Sequence, residues 1–266
     1  MTTHTLILDK MTVSPTVPIT YQLGSKVGLN AVLSQRLTIQ STGNIFCIAC
    51  NRNITKTFAD GLCFPCFRSS PLASECIIRP EKCEAHLGKG RDPEWEQRHH
   101  NQPHFVYLAV SSGLKVGVTQ HLNIPTRWID QGASSALIFA KTPNRYLAGC
   151  IEVQLKKIVS DRTSWQKMLK HQHPPIDLES EKRRLIACLS TELKSFVCNS
   201  ANLTQLTYPA LYFPTQIKSL TLQKTPEISG LLIGIKGQYL IFDNGHVFNV
   251  RKHTGYEVHL HVPSHD

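Results

Sequence analysis

The feature that most restricts how this chain can fold is a pair of cysteine pairs: Cys47-x2-Cys50, twelve intervening residues, then Cys63-x2-Cys66. Two residues between thiols let both sulfurs of a pair reach one ion, and two such pairs complete a closed tetrahedral set of four thiolates. Closed sets are structural, since no coordination position is left for water. Gly61 ahead of the second pair and Pro65 inside it suit a tight knuckle turn. The spacing predicts one structural zinc ion at Cys47, Cys50, Cys63 and Cys66. A redox CxxC, or thiols unrelated to one another, is the competing reading, and the doubled spacing disfavours it.

A second set follows. Cys76, Cys83 and His86 form C-x6-C-x2-H, which supplies three ligands for a second zinc. His99, His100 or His104 supplies the fourth, with His100 taken as the candidate. The alternative is cysteines packed as small hydrophobes beside surface histidines. An open catalytic zinc is less well supported, because no paired general base stands beside these residues. The metal reading also depends on the compartment. The apolar run near the start, Leu6-Ile7-Leu8, is short for a secretory signal, and no stretch approaches the roughly 20 apolar residues of a membrane span. The expectation is a cytoplasmic protein without membrane contact, its nine cysteines reduced.

Apolar residues make up 41% of the chain and charged residues 18%, a globular balance. The 29 Lys and Arg outnumber the 19 Asp and Glu, for a net charge of +10. Such a field favours polyanions, nucleic acid above all, though a merely soluble basic protein shows the same balance. A length of 266 residues allows one or two domains.

The expected organisation is α+β in four segments. Residues 1–46 read as β-rich, with strands over Val17–Leu23, Arg36–Gln40 and Asn44–Cys47 and Gly43 in a turn. Residues 47–104 read as the zinc-binding, zinc-ribbon-like module, poor in periodic pattern because metal replaces core. Residues 105–200 read as an α/β domain: strands over Phe105–Val110 and Leu114–Val118 about a Ser111–Gly113 turn, a helix opened by Pro125, a strand over Ala136–Ala140, then Leu147, Ile151, Leu155 and Ile158 at helical spacing. Asp177 caps a final helix bearing Leu185, Leu189, Leu193 and Phe196. Residues 201–266 read as β-rich, with Lys236-Gly237 and Asn244-Gly245 as turn signals, and pack with 17–46 in a small barrel. Arg251, Lys252, His253 and Tyr256 suit a stacking, phosphate-contacting surface, or a solvated strand end.

Within the α/β stretch, Phe105-Val106-Tyr107-Leu108-Ala109 precedes Lys115-Val116-Gly117, then Arg127, then Glu152 on a helix. Over about residues 104–160 this order resembles the GIY-YIG nuclease superfamily. Val106-Tyr107 stands at the end of its GIY strand, Lys115-Val116-Gly117 in place of YIG, Arg127 at its helix arginine and Glu152 at its metal-binding glutamate. The chain as a whole is similar to a bacterial family of unknown function that joins a cysteine-rich module to a KxG version of this motif and a β-rich tail. That family carries further cysteines near positions 73, 90 and 100, where this chain has Ala73, Gly90 and His100.

The resemblance implies phosphodiester cleavage: Tyr107 on the attacking water, Arg127 holding two phosphate oxygens, Glu152 as a hard ligand for magnesium. Lys115 replaces a second tyrosine and serves as a phosphate-binding point charge or a desolvated base, or it marks a relative that binds without cutting. Taken singly, Tyr107 reads as a packing residue, Glu152 as the ion-pair partner of Lys156 four residues on, and Arg127 as stacking on Trp128. The expected function is thus a zinc-containing protein that binds DNA or RNA, with a magnesium-dependent endonuclease reading. The alternative is a non-catalytic RNA- or protein-binding module with a degenerate nuclease-like pocket.

Overall fold

The computed structural model describes residues 2–24, 27–200 and 202–263. Its strands are β1 Thr2–Ile7, β2 Thr12–Ser14, β3 Thr20–Leu23, β4 Val27–Gly28, β5 Arg36–Ile45, β6 His104–Val110, β7 Leu114–Gln120, β8 Ser135–Thr142, β9 Thr204–Gln205, β10 Lys218–Leu220, β11 Glu227–Lys236, β12 Tyr239–Phe242, β13 His246–Asn249 and β14 Tyr256–Val262. Its α-helices are α1 Phe64–Ser69, α2 Pro93–His100, α3 Thr126–Asp130, α4 Arg145–Lys156, α5 Trp165–Leu169, α6 Leu178–Ile186 and α7 Thr191–Lys194. The architecture is mixed α+β, in two compact units: Met1–Arg68 with Leu206–Asp266, and Ser69–Gln205. The stretch expected to form one module, 47–104, is divided between them, so the four-cysteine motif and the Cys76–Cys83 pair belong to different units.

In the first unit a seven-stranded sheet runs β1-β14-β5-β11-β12-β13-β10. Strand β5 lies between β14 and β11 and pairs antiparallel with both, and β14 pairs on its other side with β1, which brings the first strand of the chain against the last. Among the described residues its outer strands β1 and β10 do not pair, so this is an open sheet rather than the barrel expected. Alternation along β14 runs buried, half-buried, buried, as a one-faced strand requires. Gly43 does not end a strand as expected. Tyr256 pairs with Ile45 and Val258 with Ser41, so three residues of β5 oppose one of β14. Gly43, at φ +89°, absorbs the excess as a bulge and the strand continues. The expected Arg251–Tyr256 nucleic-acid surface does not form. His253 is buried against Phe248 and accepts a bond from the Leu222 N–H, Tyr256 is buried, and Arg251 pairs with Asp60 at 2.6 Å.

In the second unit a four-stranded antiparallel sheet runs β7-β6-β8-β9. One face, with Val106, Leu108 and Val110 of β6 and Val116 and Val118 of β7, joins Ala148, Ile151 and Leu155 of α4 and Leu178 and Leu185 of α6 in one apolar core. The helical periodicity stops short of Ile158, which is exposed, because α4 ends at Lys156. Asp177 does cap α6, its carboxylate accepting from the Glu179 and Ser180 N–H groups. The expected single helix is broken after Ile186 and resumes as α7, so Leu189 is buried from a turn rather than a helix.

Candidate metal centres and a buried ionic cluster

The Cys47–Cys66 segment is shaped as two knuckles. Asn51 takes φ +56° after Cys50, and its N–H bonds the Cys47 carbonyl at 2.8 Å. Gly61 takes φ +100°, and a Cβ there would lie 2.9 Å from Ile48 Cγ2 and from Thr254 Cγ2, so only glycine fits. The four ligand sulfurs lie within 4.8 Å of one another. Cys50 and Cys63 Sγ are 3.8 Å apart, the separation set by Zn–S bonds of about 2.3 Å in a tetrahedron. The Cys63 N–H points at Cys47 Sγ, at 3.2 Å. Burial raises the Cys47 pKa, but backbone donors from Cys63, Cys50 and Ala49 outweigh it and bring the thiol down to about 6. Cys66, bonded to Cys63 and its neighbours, is pushed up to about 12. One thiolate forms readily and further ones repel it, a conflict that a divalent cation relieves. This cluster could hold one zinc.

A second cluster stands in the other unit, and its membership corrects the expected one. The ligand atoms of Cys76, Cys83, Glu96 and His100 lie within 4.8 Å of one another, and all four residues are buried. His86 is not among them: its ring stacks on Tyr146 at 4.7 Å. His99 stacks on Trp95 and bonds the Trp95 carbonyl, and His104 bonds the Gln102 carbonyl. Glu96 and His100 sit four apart on α2, hence on one face; the Asp92 side chain caps that helix at the Trp95 N–H. His100 Nδ1 is 3.6 Å from Cys76 Sγ and 3.6 Å from Glu96 Oε2. The other carboxylate oxygen accepts from Ser74 Oγ at 2.9 Å and the Arg91 N–H at 3.0 Å, the outer support that orients a ligating group. A Cβ on Gly90 would lie 2.4 Å from Glu96 Cδ. The carboxylate therefore fills the space that a side chain at position 90 would take. Cys76 donates to Cys83, which lowers the Cys83 thiol to about 4 while Cys76 rises. Two sulfurs, a nitrogen and an oxygen also fit a tetrahedral zinc. The pattern E-x3-H was present in the sequence, but reading only cysteine and histidine as ligands passed over it.

Tyr107, Lys115, Arg127 and Glu152, the residues expected to form a phosphate-handling site, all belong to the same unit. Tyr107 pairs with Gly117, and Ala109 with Lys115. Since alternate residues share a face, Tyr107 and Lys115 lie on one side of the sheet, opposite the valine core. Gly117 has a steric role: a Cβ there would lie 2.5 Å from the Tyr107 hydroxyl, which rests over the strand. That hydroxyl donates to Gln131 Oε1 at 2.8 Å. Burial raises the Tyr107 pKa, and the charge of Arg127, its neighbour, works against the rise. Burial lowers Lys115 to about 8, helped by repulsion from Arg127 and opposed by Asp161 and Glu152. Lys115 Nζ lies 3.4 Å from Thr163 Oγ1. Glu152 is buried and desolvation raises its pKa. Lys156 Nζ stands 3.1 Å from its Oε2 and 3.1 Å from Asp161 Oδ2. The Lys156 ammonium thus holds Glu152 and Asp161 together, and its charge works against the rise in the Glu152 pKa. The Glu152–Lys156 pair expected of an exposed helix is thus present, but in a buried setting.

These features define a class: a mixed α+β protein with one thiol-rich cluster in each unit able to hold a metal, and in the second unit a buried tyrosine and lysine on one sheet face, a half-buried arginine next to the tyrosine, and a buried glutamate on the helix that packs the other face. The chain belongs to a family of proteins of unknown function, DUF2797, whose model matches residues 34–258. No curated protein and no solved structure matches it. None of its nine cysteines is in a disulfide, and among the described residues no helix is long and apolar enough to cross a membrane.

Proposed function

We propose that this is a zinc-containing nucleic-acid-binding protein of the cytoplasm whose α/β unit handles a phosphodiester in the manner of a GIY-YIG endonuclease. One observation carries the reading: the Tyr107 hydroxyl rests over Gly117 under the charge of Arg127, with Lys115 on the same face. A hydroxyl so held suits the orientation of an attacking water, with Gln131 Oε1 accepting its hydrogen bond in the resting state. Arg127 is the group for two phosphate oxygens at once. Lys115, still largely protonated at neutral pH, adds positive charge where the pentavalent phosphorus gathers negative charge. Glu152 would supply a hard oxygen ligand for a cation that takes the place of the Lys156 ammonium now 3.1 Å from its Oε2. Magnesium bound there would polarise the phosphoryl group.

A second reading has its own support. Lys156 already sits against Glu152, as befits a pocket that binds RNA or a protein partner without cutting. Incubation of the purified protein with DNA and RNA substrates, with and without magnesium, separates the two. Magnesium-dependent cutting that Arg127→Ala lowers by 100-fold or more is expected. Salt-sensitive binding with no cutting would favour the second reading, and cutting unchanged by Arg127→Ala would mean a contaminating nuclease.

A further inference from the structure

The α/β unit has an open pocket of about 300 Å³ bordered on one side by His100 of the second metal cluster. Trp95 and His99 of α2, Gln120 at the end of β7, Asn123 just beyond it, Arg127 of α3 and Arg145 of α4 stand on its wall. Among the described residues that line it, none is acidic. Such a lining selects an anion.

Two features narrow the anion. The first is Arg145, which two bonds hold in place: Nε to the Cys76 carbonyl and Nη2 to the Ile77 carbonyl, both at 2.9 Å. A guanidinium fixed in this way spends no rotamer entropy on a ligand, and Arg127 stands on the same wall. The second is the flat wall. The Trp95 and His99 rings stack at 4.1 Å with their planes 14° apart. His99 Nδ1 is tied to the Trp95 carbonyl at 2.7 Å, so the stack is rigid. A further aromatic ring extends such a stack at little cost.

We propose that this pocket takes one nucleotide of a single-stranded nucleic acid, its phosphate between Arg127 and Arg145 and its base on the Trp95–His99 stack. The strand is single because a base inside a duplex offers no free face, and the cavity is at the small end of the range for ligand pockets. Arg127 belongs both to this pocket and to the Tyr107 group, so the strand held here passes the phosphate-handling residues. The inference rests on the nucleic-acid reading and adds where, and as what, the strand is gripped.

The test uses the full-length protein and charge changes at Asn123, an exposed residue outside the Tyr107 group. Binding of a fluorescent single-stranded oligonucleotide is measured at low salt. Asn123→Asp is expected to weaken it tenfold or more, and Asn123→Lys to strengthen it. Gln172→Asp, exposed and off the pocket, is expected to stay within twofold of wild type. A nucleoside monophosphate is expected to compete at least tenfold better than inorganic phosphate. Oligonucleotide binding that ignores both Asn123 variants would overturn the pocket while leaving the nucleic-acid reading standing. Phosphate competing as well as the nucleotide would overturn the base contact. No oligonucleotide binding by wild type at low salt would overturn both readings.

Discussion

Glu96 shows how much one side chain carries here. It faces Cys76 and His100 with one oxygen and is held by Ser74 and the Arg91 N–H with the other. If it is a ligand, wild-type protein after dialysis contains two zinc equivalents by elemental analysis. Glu96→Gln, which keeps the shape and loses the charge, is expected to fall to one, whereas His86→Ala keeps two. A second buried charge makes a pH prediction. Lys236 is fully buried, its Nζ 5.3 Å from the Tyr208 ring centroid and 5.2 Å from that of Phe213. Burial lowers its pKa to about 8, while the unfolded chain holds that proton to about 10.4. Between those values the unfolded state binds more protons, so this lysine makes stability rise with pH across that window. Urea denaturation at pH 7.5 and pH 10 is expected to show a difference of a few kcal/mol between the two pH values that Lys236→Met removes.

Among the elements, α4 does the most positioning. It presents Ala148, Ile151 and Leu155 to the sheet, brings Arg145 to the Cys76 loop, and carries Glu152. Gly149 lets that loop approach, since a Cβ there would lie 2.1 Å from the Glu81 nitrogen. The helix starts where it does because Asn144 Oδ1 accepts from the Leu147 N–H at 3.0 Å. Asn144→Ala is expected to cost about 1 kcal/mol in denaturant unfolding, and Asn144→Asp to keep most of it. If α4 is the scaffold of both the second cluster and Glu152, Asn144→Ala also weakens retention of one zinc equivalent but not the other.

At the scale of the whole molecule, the net charge of +10 sets the response to salt. Binding to DNA or RNA is expected to fall linearly in log affinity against log salt, because each neutralised phosphate releases counterions. An Arg145→Gln variant that still holds its metal is expected to shallow that slope by about one. A slope of zero for wild type, measured by titration from 50 to 300 mM salt, would exclude phosphate contacts as the source of affinity.

The four-cysteine motif was legible in the sequence because its candidate ligands are local: Cys47 and Cys66 are nineteen residues apart, and the doubled CxxC spacing favours a shared ion. The hairpin of β6 and β7, the cap at Asp177 and the glycine turns were legible for the same reason, their physics being contained in a few neighbouring residues. That Gly43 would bulge and not turn depended on β14, more than two hundred residues further on. Whether Tyr107 and Lys115 share a face depended on hairpin register. The second cluster hinged on Gly90, a residue with no side chain, whose empty space admits a carboxylate. Sequence by itself determined which chemical groups the chain has and which short segments are pre-shaped. Tertiary structure alone decided which of them meet and which lose their water, since burial and pairing arise only when distant segments close over a group.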